Sequence, residues 1–131
     1  MKALQFNSEE EELKFLRNVL DRSSALINVI QIDDFENFEN NINLWANRGW
    51  FEYSGYSLKE YKDLGVAFFG KVLHPDDITL MSDSVSKLSR ENEDIFGGFV
   101  RVKSRHGIYN WFAGTMSVIE TRNGLPWRFL T

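Results

Sequence analysis

The side chains best suited to chemistry lie in one short segment, Leu-His-Pro-Asp-Asp at residues 73–77. An imidazole beside two carboxylates can serve acid–base catalysis or bind a divalent metal. Pro75, however, favours extended backbone at His74, and the side chain of Asp76 or Asp77 is suited to accept hydrogen bonds from the free N–H groups at the start of a helix. We therefore interpret this segment as a structural helix cap rather than as a catalytic or metal site.

Other catalytic chemistries find little support in the sequence. The chain has no cysteine, which excludes disulfides, thiolate nucleophiles, cysteine zinc sites and iron–sulfur clusters. The acidic loop Asp33–Asn41 lacks the spacing and the glycine of a calcium-binding loop. Met81 and Met116 are suited to ligate haem iron, but ordinary core packing is the better interpretation. We predict that the protein is not an enzyme and holds no metal.

Composition places the chain in a broad class. It has 131 residues, 43% of them hydrophobic and 15% aromatic, and a net charge of −4. This length predicts one globular domain, and the negative charge argues against direct contact with nucleic acid. No apolar run approaches the roughly 20 residues that span a bilayer, and no signal peptide is recognisable. We expect a cytoplasmic domain that does not contact the membrane.

Two helices are predicted from apolar spacing. Residues 8–22 carry a stripe formed by Leu13, Leu16 and Leu20, with Val19 beside it. This helix either docks on its own domain or pairs with its twin in a dimer, and the sequence leaves both alternatives open. The second helix covers residues 78–90 and shows one apolar face.

Five strands are predicted around these helices. They cover residues 25–32, 42–46, 96–103, 108–120 and 125–130, and Asn123-Gly124 predicts a tight hairpin between the last two. Alternation along the fourth strand places Phe112 and Met116 on a core face with Gly114 between them. The opposite face carries Phe99 and Trp111, rings that a monomer would normally cover.

Four aromatic residues, Trp50, Phe51, Tyr53 and Tyr56, cluster between the second strand and the second helix. They either wedge a helical cap onto the sheet or wall a cavity for a flat or apolar ligand. The sequence does not decide between these two roles.

The order and spacing of several motifs resemble those of PAS domains, the sensory modules of bacterial signalling proteins, of the type followed by a PAC motif. The resemblance covers about residues 25–131. It is carried by Asn47-Arg-Gly-Trp-Phe-Glu-Tyr-Ser-Gly55-Tyr56-Ser57, Leu73-His74-Pro75-Asp76-Asp77, Phe99–Gly107, Asn110-Trp111 and Asn123-Gly124-Leu-Pro126.

The resemblance implies an α+β fold, in which a five-stranded antiparallel sheet of order 2-1-5-4-3 carries helices on one face. It implies an N-terminal amphipathic flanking helix, here within residues 1–24, that packs on the outer sheet face and on a partner. It further implies signal transduction to an output domain of a longer parent, such as a histidine kinase of a two-component system, a cyclase or a helix-turn-helix transcription regulator. We expect residues 25–131 to form the PAS domain, with its last strand truncated.

Two cofactors of the family do not match this sequence. The flavin-binding light-oxygen-voltage branch requires a cysteine, so the absence of cysteine excludes a cysteinyl–flavin adduct. Haem-binding members use a histidine on the helix that here covers 78–90, and this helix has none, so we do not expect haem. The identity of any ligand stays open.

Two functions from different classes follow. The favoured one is a sensor that binds a small ligand and relays the signal through dimerisation; the alternative is a ligand-free homodimerisation or docking module with a filled core. The candidate pocket walls are Ile30, Leu44, Trp50, Tyr53, Met81, Val85, Val100, Phe112, Gly114 and Met116. The candidate dimer interface comprises Leu13, Leu16, Val19, Leu20, Phe99 and Trp111. The structural motif residues are Asn47, Gly55, Tyr56, His74, Pro75, Asp76 and Asp77.

Overall fold

The fold was examined in a computed structural model that describes residues 6–34, 36–37, 40–91 and 95–131. Its elements follow one another as α1 Glu9–Arg22, β1 Asn28–Gln31, β2 Ile42–Ala46, α2 Arg48–Ser54, α3 Leu58–Leu64, α4 Ala67–Val72, a 3₁₀ turn Pro75–Asp77, α5 Ile78–Glu91, β3 Ile95–Lys103, β4 Tyr109–Arg122 and β5 Leu125–Leu130.

The strands form one antiparallel sheet in the order β2-β1-β5-β4-β3. This order and the antiparallel pairing confirm the predicted fold class. The hairpin between β4 and β5 turns at Asn123 and Gly124, whose φ angles of 54° and 77° are those of a tight two-residue turn. Consecutive strands β3, β4 and β5 are therefore neighbours, and β1 joins them only by pairing with β5.

The core lies between one face of the sheet and α2 to α5. Alternation along the strands directs Ile30, Val102, Met116 and Phe129 into it, as period-two patterning requires. An aromatic cluster fills the part under α3 and α4, where Phe68 is fully buried. The predicted division of β4 into a core face and an exposed face is confirmed, because Met116 is buried whereas Trp111 is 64% exposed.

The N-terminal helix does not pack on the sheet. Residues 9–19 are all exposed, and only the C-terminal end of α1 contacts α2. The outer sheet face of this chain is therefore not covered by its own α1, and packing of this helix on the outer sheet face and on a partner stays a prediction. The apolar stripe predicted for α1 does form, and its residues Leu13, Leu16 and Val19 are exposed, whereas Leu20 at its end is half-buried.

Two further differences concern the region between β2 and α5. Helix α4 was not predicted, because six residues are too few to show a helical period. The first strand is shorter than predicted, since its pairing with β2 and β5 covers residues 28–31. No helix in the described part of the chain is both long and apolar enough to cross a lipid bilayer.

Candidate functional site

A cavity of about 740 Å³ lies between the inner face of the sheet and the helices. Six of the ten predicted pocket residues line it: Trp50, Met81, Val100, Phe112, Gly114 and Met116. They come from four elements that the fold brings together, namely α2, α5, β3 and β4. The volume falls within the range of ordinary small-molecule sites.

The cavity has two connected parts. The first is a chamber under α5, with Met81 above and Val100 and Met116 below. The second is an opening at the end of the sheet, where Ala113 and Leu130 of the outer face also belong to the lining. It arises because β4 pairs with β5 only from residue 117 onward. The volume therefore counts the chamber together with its opening.

The other four predicted pocket residues lie elsewhere. Ile30 and Val85 are buried in the packed core, and Leu44 lies at the bulge between β1 and β2. Tyr53 packs its ring against Phe112. Its hydroxyl donates to the carbonyl oxygen of Val102 at 2.9 Å, a bond that fixes α2 to β3. Among the four aromatic residues that the sequence left undecided, only Trp50 lines the cavity.

Several lining residues were missed by the sequence reasoning. Phe69 and Leu73 come from the undetected helix α4 and the residue after it, for which no periodic signal exists. Gly98 was detectable, because alternation from Val100 and Val102 places it on the same inner face. Leu80 and Ser84 lie on α5 beside the predicted Met81, and a prediction that took a wider face of this helix would have included them.

Residues 73–77 attach the start of α5 to β3, an edge strand of the sheet. The backbone N–H of His74 donates to the carbonyl oxygen of Arg101 at 3.0 Å, and Leu73 forms a bridge with Val102. The carboxylate of Asp77 accepts three bonds from Arg101, one from its backbone N–H and two from its guanidinium. These contacts occupy part of the free edge of β3, which would otherwise present unpaired backbone groups.

The prediction that Asp76 or Asp77 caps the helix is wrong. The His74 ring caps the 3₁₀ turn that precedes α5, because its Nδ1 accepts the backbone N–H of Asp76 at 3.1 Å. Pro75 occupies the first position of that turn. Asp77 instead binds Arg101, and these hydrogen bonds lower the pKa of Asp77 to about 2. Among the described residues, no group of three or more His, Cys, Asp or Glu side chains is arranged to hold a metal ion.

The remaining motif residues also have structural roles. Gly55 ends α2 with a φ of 78°, and a Cβ there would lie 2.8 Å from the Cβ of Arg105, so only glycine fits. Tyr56 packs its ring edge-on against Phe68. The side chain of Asn47 is fully buried and binds three backbone groups before β1 and at the end of α1.

The predicted interface residues are exposed. On α1, Leu13, Leu16 and Val19 face solvent, while Leu20 is half-buried at the opening of the cavity. On the outer sheet face, Phe99 is 70% exposed, and the Arg101 guanidinium lies 4.7 Å above the Trp111 ring. Two largely exposed apolar surfaces thus lie on the described part of this chain, one on α1 and one on the outer sheet face.

A five-stranded antiparallel sheet that holds a largely apolar cavity against a one-sided layer of helices defines a small α+β domain with an internal site. The chain belongs to the PAS fold family, whose sequence model matches residues 43–131. A search of curated proteins found no match.

Solved structures share the fold at low sequence identity. A PAS domain from Colwellia psychrerythraea is 20% identical with a TM-score of 0.67, over 91% of this chain and 92% of that one. A domain of a putative light and redox sensing histidine kinase from Haloarcula marismortui is 17% identical with a TM-score of 0.65, over 89% and 93%. An RNA-binding light-oxygen-voltage receptor is 14% identical with a TM-score of 0.67, over 99% of this chain but 35% of the receptor. At these identities the likeness concerns the fold alone.

Proposed function

We propose that this chain is a cytoplasmic sensory PAS module, with residues 1–24 as its flanking helix and residues 25–131 as its sensing domain. A small molecule binds in the cavity, and its binding is relayed through a dimer to an output domain of a longer protein. Ligand binding acts by shifting the populations of two dimer arrangements. Some structural neighbours are named as histidine kinases, which makes a kinase one candidate output.

The observation that carries the proposal is the cavity itself. Its walls include residues of α2, α5, β3 and β4, so an occupant would contact both helices and strands of the core. A chamber lined by Trp50, Phe112 and Met81 favours binding over catalysis, because these side chains offer apolar contact and no acid, base or nucleophile.

We further propose that the module lies outside the flavin–cysteinyl branch of the family. The chain contains no cysteine, so the thiol that would form the adduct is missing. A haem ligand of the kind found on the corresponding helix is missing as well, because α5 contains no histidine. Several structural neighbours are named as light-oxygen-voltage proteins, but their likeness to this chain is in the fold alone.

Retention of a small molecule tests this function. Native mass spectrometry of freshly purified protein should show a bound species that disappears on denaturation, because the chamber and its opening, about 740 Å³ together, have room for a metabolite-sized ligand. A panel of metabolites should contain compounds that raise the melting temperature, since a ligand that binds only the native state stabilises it. Absence of both a retained molecule and any thermal shift would contradict the proposal.

A second candidate function is homodimerisation through the uncovered surfaces. Leu13 is 62% exposed and Val19 is 51% exposed on α1, and Phe99 and Trp111 are exposed on the sheet. A helix with this apolar stripe is stabilised when a partner covers it. Dimerisation is compatible with ligand binding. The cavity argues against the ligand-free module with a filled core that the sequence analysis gave as the alternative.

Sedimentation measurements test the dimer. The wild-type chain should sediment as a dimer, and Leu16→Glu should weaken its association at least about tenfold, because a carboxylate would be buried against an apolar surface. Asn18→Glu is the matched control, since Asn18 lies on the same helix outside the apolar stripe. A wild-type protein that stays monomeric at high concentration rules out this function for the isolated chain.

A further inference from the structure

The chamber owes its depth to two glycines that face each other in the sheet. Gly98 of β3 and Gly114 of β4 are partners in register, and both line the cavity. Neither is among the glycines with a positive φ, so the backbone conformation does not require glycine at these positions. Glycine in the interior of a strand weakens the strand, and here Gly114 leaves open a space that a side chain would fill.

The space above Gly114 is open. A Cβ built on this residue would have its nearest neighbour, the carbonyl oxygen of Gly98, at 4.0 Å, which is ordinary contact distance. Phe112 and Met116 flank Gly114 along the inner face of β4, and Met81 of α5 also lines the chamber. The glycine pair is therefore the floor of a slot bounded by an aromatic ring and two thioethers, groups that adapt well to flat or branched apolar molecules.

The chemistry of the lining restricts what can enter. Among the described residues, the lining contains no Asp, Glu, Lys, Arg or His. Its hydroxyl groups are few, and the one under α5, Ser84, already donates its proton to the carbonyl oxygen of Leu80. A carboxylate or phosphate placed in the chamber would lose hydration without gaining a charged partner among the described lining residues, which is unfavourable.

We infer that the chamber binds an uncharged, largely apolar small molecule over the Gly98–Gly114 floor and rejects anionic analogues of the same shape. This inference rests on the proposed ligand-binding function and names the chemical class of the ligand. It also separates this chain from any member of the fold that holds a phosphate-bearing or carboxylate-bearing cofactor in the same chamber.

Two probes of matched shape test the selectivity in the wild-type protein. 2-Naphthol and 2-naphthoate share the same rings, but only the second is anionic at neutral pH. Isothermal titration should show 2-naphthol binding at least about tenfold more tightly than 2-naphthoate, because the described residues of the lining offer the anion no charged partner. Equal affinities for the two probes would overturn the inference. This comparison needs no variant, so it does not depend on the folding of one.

A filling variant tests the location. Gly114→Val should weaken 2-naphthol binding at least about tenfold, because its side chain occupies the slot that the probe needs. Gly97→Val is the control, since Gly97 precedes Gly98 on the same strand and its side chain would point to the exposed face. Circular dichroism should show the same fold for both. Unchanged binding in Gly114→Val would place the ligand elsewhere.

The outcomes also separate this inference from the function on which it rests. Retention of an anionic molecule in native mass spectrometry, together with failure of 2-naphthol to bind, would overturn the inference and leave the sensory proposal intact. Failure of both probes and of the whole metabolite panel, with nothing retained, would overturn both. Retention of an uncharged molecule that Gly114→Val displaces would support both.

Discussion

Replacing Asn47 with alanine should lower the free energy of unfolding by about 2–4 kcal/mol, because it leaves several buried backbone groups without partners. The Asn47 side chain is fully buried. It accepts the N–H of Ile27 at 3.0 Å and donates to the carbonyl oxygens of Leu20 at 2.8 Å and Ala25 at 2.9 Å. Urea unfolding followed by circular dichroism gives the measurement.

The control for this variant is Asn18→Ala. Asn18 is exposed on α1, so its replacement should change the free energy of unfolding by less than about 0.5 kcal/mol. The two variants remove the same chemical group and differ in its burial and partners. A loss below about 1 kcal/mol in Asn47→Ala would show that water satisfies these backbone groups in the variant. It would contradict the prediction that the Asn47 side chain stabilises the fold.

Replacing Phe68 with alanine should cost about 3–5 kcal/mol of unfolding free energy, the range for deleting a buried ring. Phe68 is fully buried, and its ring centre lies 5.0 Å from that of Tyr61 and 5.4 Å from that of Phe69. Trp50 also packs edge-on against it at 5.6 Å. With Tyr56, which also packs edge-on against it, four rings share Phe68 as a neighbour, so the cavity left by the variant cannot collapse around a single side chain.

Phe99→Ala provides the matched comparison. Phe99 is 70% exposed on the outer sheet face, so the same deletion should change the free energy of unfolding by less than about 0.5 kcal/mol when measured on the monomer. Similar losses in both variants would contradict the burial of Phe68 and the exposure of Phe99. Thermal unfolding of both proteins at one concentration checks the difference, and dilution checks that Phe99→Ala does not act through association.

The sheet was largely predictable because its signals are local. Alternation between Val100 and Val102, and from Phe112 to Met116, reports which face is buried in any strand with one face in a core. Asn123-Gly124 needs only its two residues to form the turn. The chamber was predictable in part for the same reason, since Gly114 lies at an inward position of a strand and its lack of a side chain can be seen in the sequence.

Long-range partners could not be predicted in the same way. An aspartate before a helix can either cap the helix or bind an arginine from another element, and the sequence does not distinguish the two. Asp77 forms an ion pair because the fold places Arg101 beside it. Tyr53 was suited to wall a cavity, but its hydroxyl reaches Val102 instead. The apolar stripe on α1 can be recognised in the sequence. Its exposure cannot, because it depends on how the contacts with α2 orient the helix.

The position of Asn47 has a mechanical consequence. Asn47 and Trp50 are three residues apart, about 4.5 Å along a helix, and the N–H of Trp50 donates to the carbonyl oxygen of Asn47. The first of these residues grips the end of α1, and the second forms a wall of the chamber. The first turn of α2 thus contacts the end of α1 on one side and the chamber on the other. Because one helical turn carries both contacts, a rotation of that turn would move the wall of the chamber and the end of α1 together.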